Sequence, residues 1–432
     1  MTTRAAAKTI ETVVKNGLCC GCGTCEGVCP EAALKMTLDE EQGSFLPELN
    51  NERCISCGVC YQSCPGHSVD FKTLNLTIFG QDSQDALMGN YRACYVGHAA
   101  DYELRYNAAS GGVTTALLQF ALKENVIDGA LVVKMNKERP LEPQPFIART
   151  FDELADAARS KYCPVPMNKG LRDIMHSPDG EKFAVVGLPC QLHGVRKAEQ
   201  INKKLREKVV LHLGIFCSHT DTFWQTRSLL AQVGAVESDI ERIDYRGHGW
   251  PGTMSISLKS GQKIELPFSD AVANHLVWIN ALPRCLFCCD LTAELADVSC
   301  GDAWLPEIRR TEGVGKSLVV ARTQIGQTLC LNGIREGVLT LEPADADKVK
   351  QSGYMMQSKK RDIRVRFLVR KILRRPTPEY TTALLRPSLI GCGRGLFIYV
   401  VALASSKRRL RGSISAMWHE SRRLLLAFKD TN

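Results

Sequence analysis

The sequence predicts three structural units: a small α+β unit over residues 1–75, an α/β unit over residues 88–345 and a helical, basic extension over residues 355–432. Three observations support this division. Nine of the 19 cysteines fall within the first 64 residues, short apolar runs alternate with helical periodicity in the middle, and 18 Lys/Arg stand against four Asp/Glu in residues 359–432. With 44% apolar and 23% charged residues, the chain has the composition of a folded globular protein.

The first unit contains a repeated cysteine pattern, C-x2-C-x2-C-x3-C-P, whose two copies begin 35 residues apart. Bacterial two-cluster ferredoxins have this pattern, and in them the cysteine before proline binds the other cluster. The repeat therefore predicts one [4Fe–4S] cluster on Cys19, Cys22, Cys25 and Cys64, and a second on Cys54, Cys57, Cys60 and Cys29. The alternative is zinc, but zinc takes four ligands from two C-x2-C pairs, whereas each copy here has three cysteines plus one. Cys20 stands outside the pattern.

The middle unit has the pattern of an α/β fold. Apolar runs at Leu131–Lys134, Phe183–Gly187 and Val209–Phe216 predict buried strands, and helical periodicity covers residues 114–122 and 151–159. Residues 240–266 alternate as strands do. Two glycine-rich segments, at residues 313–317 and 391–395, are incomplete matches to a phosphate-binding loop and a dinucleotide fingerprint, so neither predicts a nucleotide site.

A third group of cysteines is dispersed in this unit, at Cys190, Cys217, Cys285 and Cys288. One C-x2-C pair and two single cysteines, each following an apolar run, can converge on a further cluster. Buried structural thiols are the alternative, because free cysteine packs well as a small apolar residue. Cys289 and Cys300 compete with these four as ligands.

Several segments, in the same order, resemble the family of coenzyme F420 hydrogenase/dehydrogenase beta subunits. They are Ser110–Leu118, Gly187–Gln191, Gly214–Cys217, the Cys285/Cys288 pair and Ala293–Ser299. The resemblance implies an α+β ferredoxin-like dicluster domain followed by an α/β flavin-binding domain. It divides the latter into residues 88–175, which bind flavin, and 176–345, which carry a third [4Fe–4S] cluster on the four dispersed cysteines and further flavin contacts. FAD contacts are implied for Ser110, Gly111, Gly112, Thr114, Lys161 and Tyr162.

The implied flavin contacts have a physical basis, because a Gly-Gly turn that opens a helix presents backbone amides to a pyrophosphate. The same turn is also an ordinary helix cap, and Lys161 could equally be a surface lysine or a partner of anionic reduced flavin. Arg246–Trp250 and Gly301–Trp304 depart from the methanogen hydrogenase members, which leaves the use of coenzyme F420 open. His219 and His248 are polar candidates for a substrate site, with satisfied core or loop histidines as the alternative.

The extension carries a net charge of +14, so the remaining 358 residues carry −5. Residues 362–375 predict an amphipathic basic helix with an apolar face of Val365, Leu368, Val369 and Ile372. The apolar run at residues 396–404 is too short to span a bilayer. Residues 359–432 are therefore expected to lie apart from the catalytic body and to dock on an anionic membrane surface, on an acidic partner or on the protein's own acidic body. Nucleic-acid binding is disfavoured.

The sequence thus predicts an iron–sulfur flavoprotein oxidoreductase that passes electrons between a ferredoxin-like carrier and FAD, with hydride exchange to coenzyme F420 or an organic substrate. The alternative is an electron-relay or accessory subunit of a larger complex without a substrate of its own. A weaker third hypothesis is a redox sensor that binds nucleic acid. Residues 1–15 carry no secretory signal, and clustered free thiols favour the reducing cytoplasm, with the inner face of the membrane as a peripheral location.

Overall fold

The computed structural model describes residues 8–353, 355–407, 409–410, 412–414, 417–418 and 420, and the end of the predicted extension lies outside these ranges. The N-terminal unit is built from short elements around a two-stranded antiparallel hairpin. In chain order these are α1 (Ile10–Lys15), α2 (Thr24–Gly27), β1 (Leu34–Asp39), β2 (Ser44–Leu49), α3 (Val59–Gln62), β3 (Ser68–Val69) and α4 (Phe71–Phe79).

Each copy of the cysteine pattern places its third cysteine in a one-turn helix that begins after a glycine. Gly23 and Gly58 cap α2 and α3 with φ values of 81° and 77°, a left-handed conformation that glycine adopts without strain. A Cβ atom on Gly23 would also stand 2.8 Å from the carbonyl oxygen of Pro166. The glycine therefore permits both the tight turn and the close packing of this unit on the next.

The middle unit contains an eight-stranded mixed sheet and a separate three-stranded antiparallel sheet. Its elements are β4 (Ala93–Ala99), α5 (Tyr102–Asn107), α6 (Val113–Lys123), β5 (Gly129–Met135), β6 (Pro143–Ala148), α7 (Phe151–Asp156), α8 (Leu171–His176), β7 (Phe183–Gly187), α9 (Pro189–Ile201), α10 (Lys203–Lys208), β8 (Val209–Ile215), α11 (Phe223–Gln232), β9 (Ile240–Asp244), β10 (Thr253–Leu258), β11 (Lys263–Pro267), α12 (Phe268–Ala271), β12 (Val298–Asp302), α13 (Pro306–Thr311), β13 (Ser317–Ala321), α14 (Gln324–Arg335), β14 (Leu339–Ala344) and α15 (Ala346–Ser352). Short 3₁₀ helices cover Met167–Gly170, Glu237–Asp239, His275–Val277 and Pro283–Phe287.

The large sheet has the order β14-β4-β13-β12-β8-β7-β5-β6, with parallel pairing from β12 to β5 and antiparallel pairing on either side. Residues of α6 and α14 pack with one set of buried strand residues, and residues of α8, α9 and α10 pack with another. This arrangement confirms the predicted α/β fold and shows that its sheet is mixed. Strands from both sides of residue 176 belong to one sheet, so the two halves implied by the resemblance share a core.

A buried polar network ties the centre of this sheet to the segment that follows the cysteines. His212 on β8 hydrogen-bonds through one ring nitrogen to Asp297 and through the other to Glu199, at 2.9 and 2.6 Å. Asp297 also accepts hydrogen bonds from the His212 amide and from the hydroxyl of Thr323. Burial alone would raise the pKa of Asp297, but Arg196 and His212 lower it to about 2. The carboxylate is therefore ionised and paired inside the protein.

The C-terminal segment packs against both earlier units. It contains a π-helix (Ser358–Asp362), α16 (Ile363–Ile372), β15 (Glu379–Tyr380) and α17 (Leu389–Ser405). Strand β15 pairs in parallel with β3 of the N-terminal unit. Among the residues described here, no helix is both long and apolar enough to cross a membrane.

The predicted apolar face of the first basic helix is not the face that packs on the body. Arg366 and Arg370 are buried, whereas Leu368 and Ile372 are exposed. The buried guanidinium of Arg366 is stable in this position because it donates hydrogen bonds to the carbonyl oxygens of Leu286 and Ser358. Lys359 and Lys360 are buried as well, so the first part of the basic segment belongs to the body rather than to a separate extension.

Asp297→Asn is expected to destabilise the middle unit, because it removes one of the two buried anions, Asp297 and Glu199, that pair with both Arg196 and His212. Removal of one partner from a buried ion pair costs about 3–5 kcal/mol, so the urea midpoint followed by tryptophan fluorescence should fall. Glu181→Gln breaks a partly exposed pair with Arg149 and serves as the control, with an expected change of about 1 kcal/mol or less. Equal midpoints for the two variants would contradict this account.

Candidate redox centre

The first predicted cysteine set comes together on the inner side of the N-terminal unit. The thiols of Cys19, Cys22, Cys25 and Cys64 lie close enough for their charges to interact. Burial, followed by the neighbouring thiols, raises the pKa of Cys19 to about 12, and burial above all raises that of Cys64 to about 11. The backbone amides of Gly21 and Gly66 approach these two sulfurs at 3.4 and 3.3 Å. Thiolates in such a site require a cationic partner, which a metal centre supplies.

The second predicted set lines a depression at the protein surface. Cys29, Cys54, Cys57 and Cys60 surround a space of about 350 Å³, open mouth included. Cys57 is exposed and Cys60 is buried, so the set extends from solvent into the unit. The amide of Ala33 donates to the sulfur of Cys29 at 3.3 Å. Four cysteines around one open space form a donor set that fits a multi-iron cluster.

The dispersed cysteines also converge. Cys190 begins α9, Cys217 follows β8, and Cys285 and Cys288 lie in and after the last 3₁₀ helix. The charges of Cys190 and Cys217 both interact with those of Cys285 and Cys288. Burial raises the pKa of Cys217 to about 12 and that of Cys285 to about 11. The loop geometry thus brings together four thiols that are up to 98 residues apart in the chain.

The two competing cysteines lie elsewhere. Burial raises the pKa of Cys289 well above its ordinary value, and its thiol faces Lys360 and Glu294. Cys300 is part of the sheet core, where its thiol hydrogen-bonds with Thr114. Cys289 interacts with its neighbour Cys288 but not with Cys190, Cys217 or Cys285, and Cys300 interacts with none of the four.

The three sets lie next to one another, with the first set between the second and the third. Cys25 of the first set interacts with Cys60 of the second, and Cys22 interacts with Cys190 of the third. Cys20, which stands outside the repeated pattern, hydrogen-bonds with both Cys22 and Cys190 and so lies between the first and third sets. The sequence does not indicate this position of Cys20, because Cys20 meets Cys190 only where the N-terminal unit packs on the middle unit.

The spacing of the sulfur atoms in these three sets does not fit a site for a single metal ion. Sulfur ligands of one tetrahedral zinc lie about 3.8 Å apart, as follows from a Zn–S distance of about 2.3 Å. Within the described residues, ligand atoms of three residues approach within 4.8 Å of one another only at His219, Asp221 and His275. The cysteine sulfurs are more widely spaced, which suits a tetranuclear cluster and disfavours the zinc alternative.

A buried lysine stands beside the third set. Lys359 donates a hydrogen bond to the carbonyl oxygen of Asp290 at 2.8 Å, and its ammonium group also hydrogen-bonds with the Cys288 sulfur. Burial would lower the pKa of Lys359, but Cys288, Cys217 and Cys285 keep it above its ordinary value. In the sequence this residue is only one member of a basic run.

Ser110, Gly111 and Gly112 lie where three glycine-containing loops meet. The Ser110 hydroxyl and the Gly111 amide both hydrogen-bond to the hydroxyl of Ser317. Gly112, with a φ of 74°, caps α6, and the first-turn amides of that helix, which include Thr114, have no intrahelical partner. The glycine-rich segment at residues 313–317 packs on Ser110, since a Cβ atom on Gly315 would lie 2.5 Å from the Ser110 carbonyl oxygen. These donors suit a phosphate group chemically.

Lys161 and Tyr162 have different surroundings from each other. The Lys161 ammonium group donates to the carbonyl oxygens of Ala157, Ala158 and Arg159, which end α7, and burial lowers its pKa to about 7. Lys161 is therefore a helix cap rather than a surface lysine. Tyr162 lines a cavity of about 270 Å³ together with Asp221, Gln225, Leu229, Tyr245, Met254, Ala271 and Val272.

The two histidine candidates also differ. His219 is buried between the rings of His275 and Trp278, at centroid distances of 3.8 and 4.1 Å. Burial, followed by His275, lowers the pKa of His219 to about 4. His219, Asp221 and His275 form a buried cluster whose ligand atoms all lie within 4.8 Å of one another, and His275 hydrogen-bonds to Asp221 at 2.8 Å. His248 lies in the Gly247–Gly249 loop, near the ring of Tyr106.

Comparison with known proteins agrees with this arrangement. Residues 94–172 and 180–347 match the models described as coenzyme F420 hydrogenase/dehydrogenase, beta subunit N-term and C terminus, which together cover more than half of the chain. Residues 18–67 match a 4Fe-4S dicluster domain.

Curated relatives include the coenzyme F420 hydrogenase subunit beta of Methanothermobacter thermautotrophicus, which is 29% identical over 61% of this chain and 88% of that protein. A subunit of the F(420)H(2) dehydrogenase of Methanosarcina mazei is 27% identical over 74% of this chain and 83% of that protein. A chain of the F420-reducing [NiFe] hydrogenase complex from Methanosarcina barkeri has a similar fold, with a TM-score of 0.54 and 23% identity over 67% of this chain and 95% of that chain.

The cysteine sets, the mixed-sheet fold and these matches lead to one assignment. The chain is an iron–sulfur oxidoreductase that belongs to the family of coenzyme F420 hydrogenase/dehydrogenase beta subunits, with a 4Fe-4S dicluster domain at residues 18–67.

Proposed function

We propose that the protein is a cytoplasmic iron–sulfur flavoprotein that passes electrons between a ferredoxin-like carrier and FAD, with hydride exchange to coenzyme F420 or an organic substrate. The observation that carries the proposal is the succession of three cysteine sets, from the exposed Cys57 of the second set through the first set to Cys217 and Cys285 of the third. Iron–sulfur clusters carry single electrons, and a flavin converts between one- and two-electron partners.

Three [4Fe–4S] clusters are assigned by this proposal to the three sets. Cys19, Cys22, Cys25 and Cys64 would hold the first, Cys29, Cys54, Cys57 and Cys60 the second, and Cys190, Cys217, Cys285 and Cys288 the third. The first set is largely buried and the third is partly exposed, and the amides of Gly21, Gly66 and Thr220 donate to their sulfurs. Such amide–sulfur hydrogen bonds and low exposure are the means by which a protein adjusts cluster potentials.

The flavin site is proposed at the junction of the glycine-containing loops with the N-terminus of α6. Gly112 and Thr114 would bind the pyrophosphate through backbone amides, since a helix N-terminus favours an anion, and Ser110 and Gly111, which hydrogen-bond to Ser317, would line the site and hold its loop in place. Tyr162 would place an aromatic ring beside the cofactor, and Lys161 would act indirectly, because its ammonium group holds the chain that precedes Tyr162.

A second function is favoured by the relatives, which are subunits of larger assemblies. The chain would then relay electrons to a partner subunit that holds the substrate. Deletion of residues after 355 cannot separate the two functions, because Lys359, Lys360 and Arg366 are buried in the body. The isolated full-length chain should instead be assayed for reduction of coenzyme F420 with reduced ferredoxin or dithionite as donor.

Anaerobically purified protein is expected to release one flavin per chain on acid denaturation and to reduce coenzyme F420, followed by the loss of its visible absorbance. Activity in the isolated chain supports an enzyme with its own substrate site. Bound flavin without turnover would favour the relay function, and protein that binds no flavin after reconstitution with FAD would contradict the proposed flavin site.

Cys217→Ala is expected to lower the iron content from about twelve to about eight per chain, because a tetranuclear cluster loses one of its four ligands. Cys289→Ala, one residue beyond the predicted Cys285/Cys288 pair, is the matched control and should retain about twelve iron. Iron is measured by colorimetric assay and the clusters by electron paramagnetic resonance. Loss of iron in the Cys289 variant but not in the Cys217 variant would show that the ligand set is wrong.

Lys359→Met is expected to lower the reduction potential of the third cluster, because the ammonium group beside Cys288 stabilises the more negative reduced state. The expected change is on the order of 60 mV, which is tenfold in the equilibrium constant of a one-electron couple. A redox titration followed by electron paramagnetic resonance measures it. Lys371→Met removes an exposed lysine from the same segment and should leave the potential unchanged; a shift of equal size in both variants would contradict a local effect.

A further inference from the structure

The last two described long helices, α16 and α17, pack against each other and against the body. Gly395 of α17 lies next to Val365 of α16, with 3.2 Å between the Val365 Cβ and the position a Cβ on Gly395 would occupy. On the inner side of α17, Ile398, Tyr399 and Ala402 belong to a core cluster that includes Trp278 and Phe287. The inner side of the helix pair is therefore packed against the body of the protein.

The opposite side of the helix pair is apolar and exposed. We call it the outer apolar surface, and it consists of Leu368, Ile372, Leu373, Leu389, Ile390, Leu396, Phe397, Val400 and Leu403. Leu389 and Ile390 are 91% and 83% exposed, so their side chains protrude from the protein. Contiguous apolar side chains at a protein surface mark an interaction site more often than scattered ones do.

The charges around the outer apolar surface have one sign. Among the described residues from 363 to 410, the exposed ionisable side chains are cationic except for Glu379. The cations are Arg364, Lys371, Arg374, Arg375, Arg386, Arg394, Lys407 and Arg409. Of these, Arg394 pairs with the buried Asp362 at 2.6 Å. The partner of this surface must therefore combine negative charge with an apolar interior.

A lipid bilayer with anionic headgroups has that combination. Helix α17 has 17 residues, a length of about 25 Å, and its inner side is bound to the body, so it would lie along the membrane surface rather than enter as a span. Leucine and isoleucine side chains that protrude this far into solvent fit a deformable acyl layer. Cations beside an apolar helix face are the pattern of interfacial membrane helices.

We propose that the outer apolar surface of α16 and α17 docks the protein on an anionic membrane, with Leu389, Ile390, Leu396, Phe397 and Val400 inserted among the lipids and the surrounding arginines and lysines on the headgroups. This proposal is independent of the flavin and of the substrate, because it uses no residue of the cysteine sets or of the glycine-containing loops.

The full-length holoprotein is to be sedimented with vesicles of phosphatidylcholine that do or do not contain phosphatidylglycerol. We expect binding to the anionic vesicles, weaker binding at high salt and a loss of at least tenfold for Phe397→Glu combined with Val400→Glu. Arg374→Gln and Arg375→Gln should each weaken binding about fivefold. Val236→Glu is the matched control, since Val236 is as exposed as Phe397, at 59% and 58%, but lies outside this surface, and it should bind as the unaltered chain does.

Iron content and circular dichroism of each variant check that the fold is retained. Absence of binding to either vesicle would overturn the proposal, as would equal loss in the Val236 variant. Light scattering tests the other occupant of such a surface: if the unaltered chain is a dimer and the Phe397/Val400 variant a monomer, a second copy covers the surface and the membrane proposal fails.

Discussion

The arrangement of the cysteine sets depends on one buried arginine that joins the three parts of the molecule. Arg284 donates hydrogen bonds to the carbonyl oxygens of Gly66 and Pro65 and to the hydroxyl of Tyr380. Pro65 follows a cysteine of the first set, and Arg284 itself precedes a cysteine of the third. The guanidinium group therefore fixes the separation of the two sets, and the N-terminal unit is an integral part of the protein rather than a detachable carrier.

The parts of the structure that depend on local sequence were predictable. The repeated cysteine spacing indicated a dicluster domain because three ligands to one cluster come from a single turn of chain, and apolar runs located β7 and β8 because fully buried parallel strands need few polar residues. The four dispersed cysteines came from the family resemblance; spacing alone left structural thiols as an alternative.

The misplaced residues share a physical cause, which is burial of charge by contacts distant in sequence. The amphipathic pattern sets Arg370 on the charged face of the helix, where contact with solvent is expected because a lone cation inside a protein is costly. Arg366 is buried because Leu286 and Ser358, 80 and eight residues away, offer carbonyl oxygens to its guanidinium. Cys20 likewise has a distant partner in Cys190, whereas Lys161 is held by the carbonyl oxygens of Ala157, Ala158 and Arg159, which lie two to four residues before it. Hydrophobic periodicity carries no information about such partners, so it could not predict which charged side chains are buried.

The C-terminal segment consequently has two sides with different electrostatic roles. On the inner side, Lys359 faces the thiols of the third set and Lys360 pairs with Glu294 at 2.7 Å, so neither can leave without exposing an unpaired buried charge. On the outer side, the exposed cations can bind and release an anionic surface without disturbing these pairs. A partner can therefore bind the outer side of this segment without changing the cysteine sets. Substitutions on the outer side can separate loss of docking from loss of redox chemistry, whereas truncation of the segment removes both.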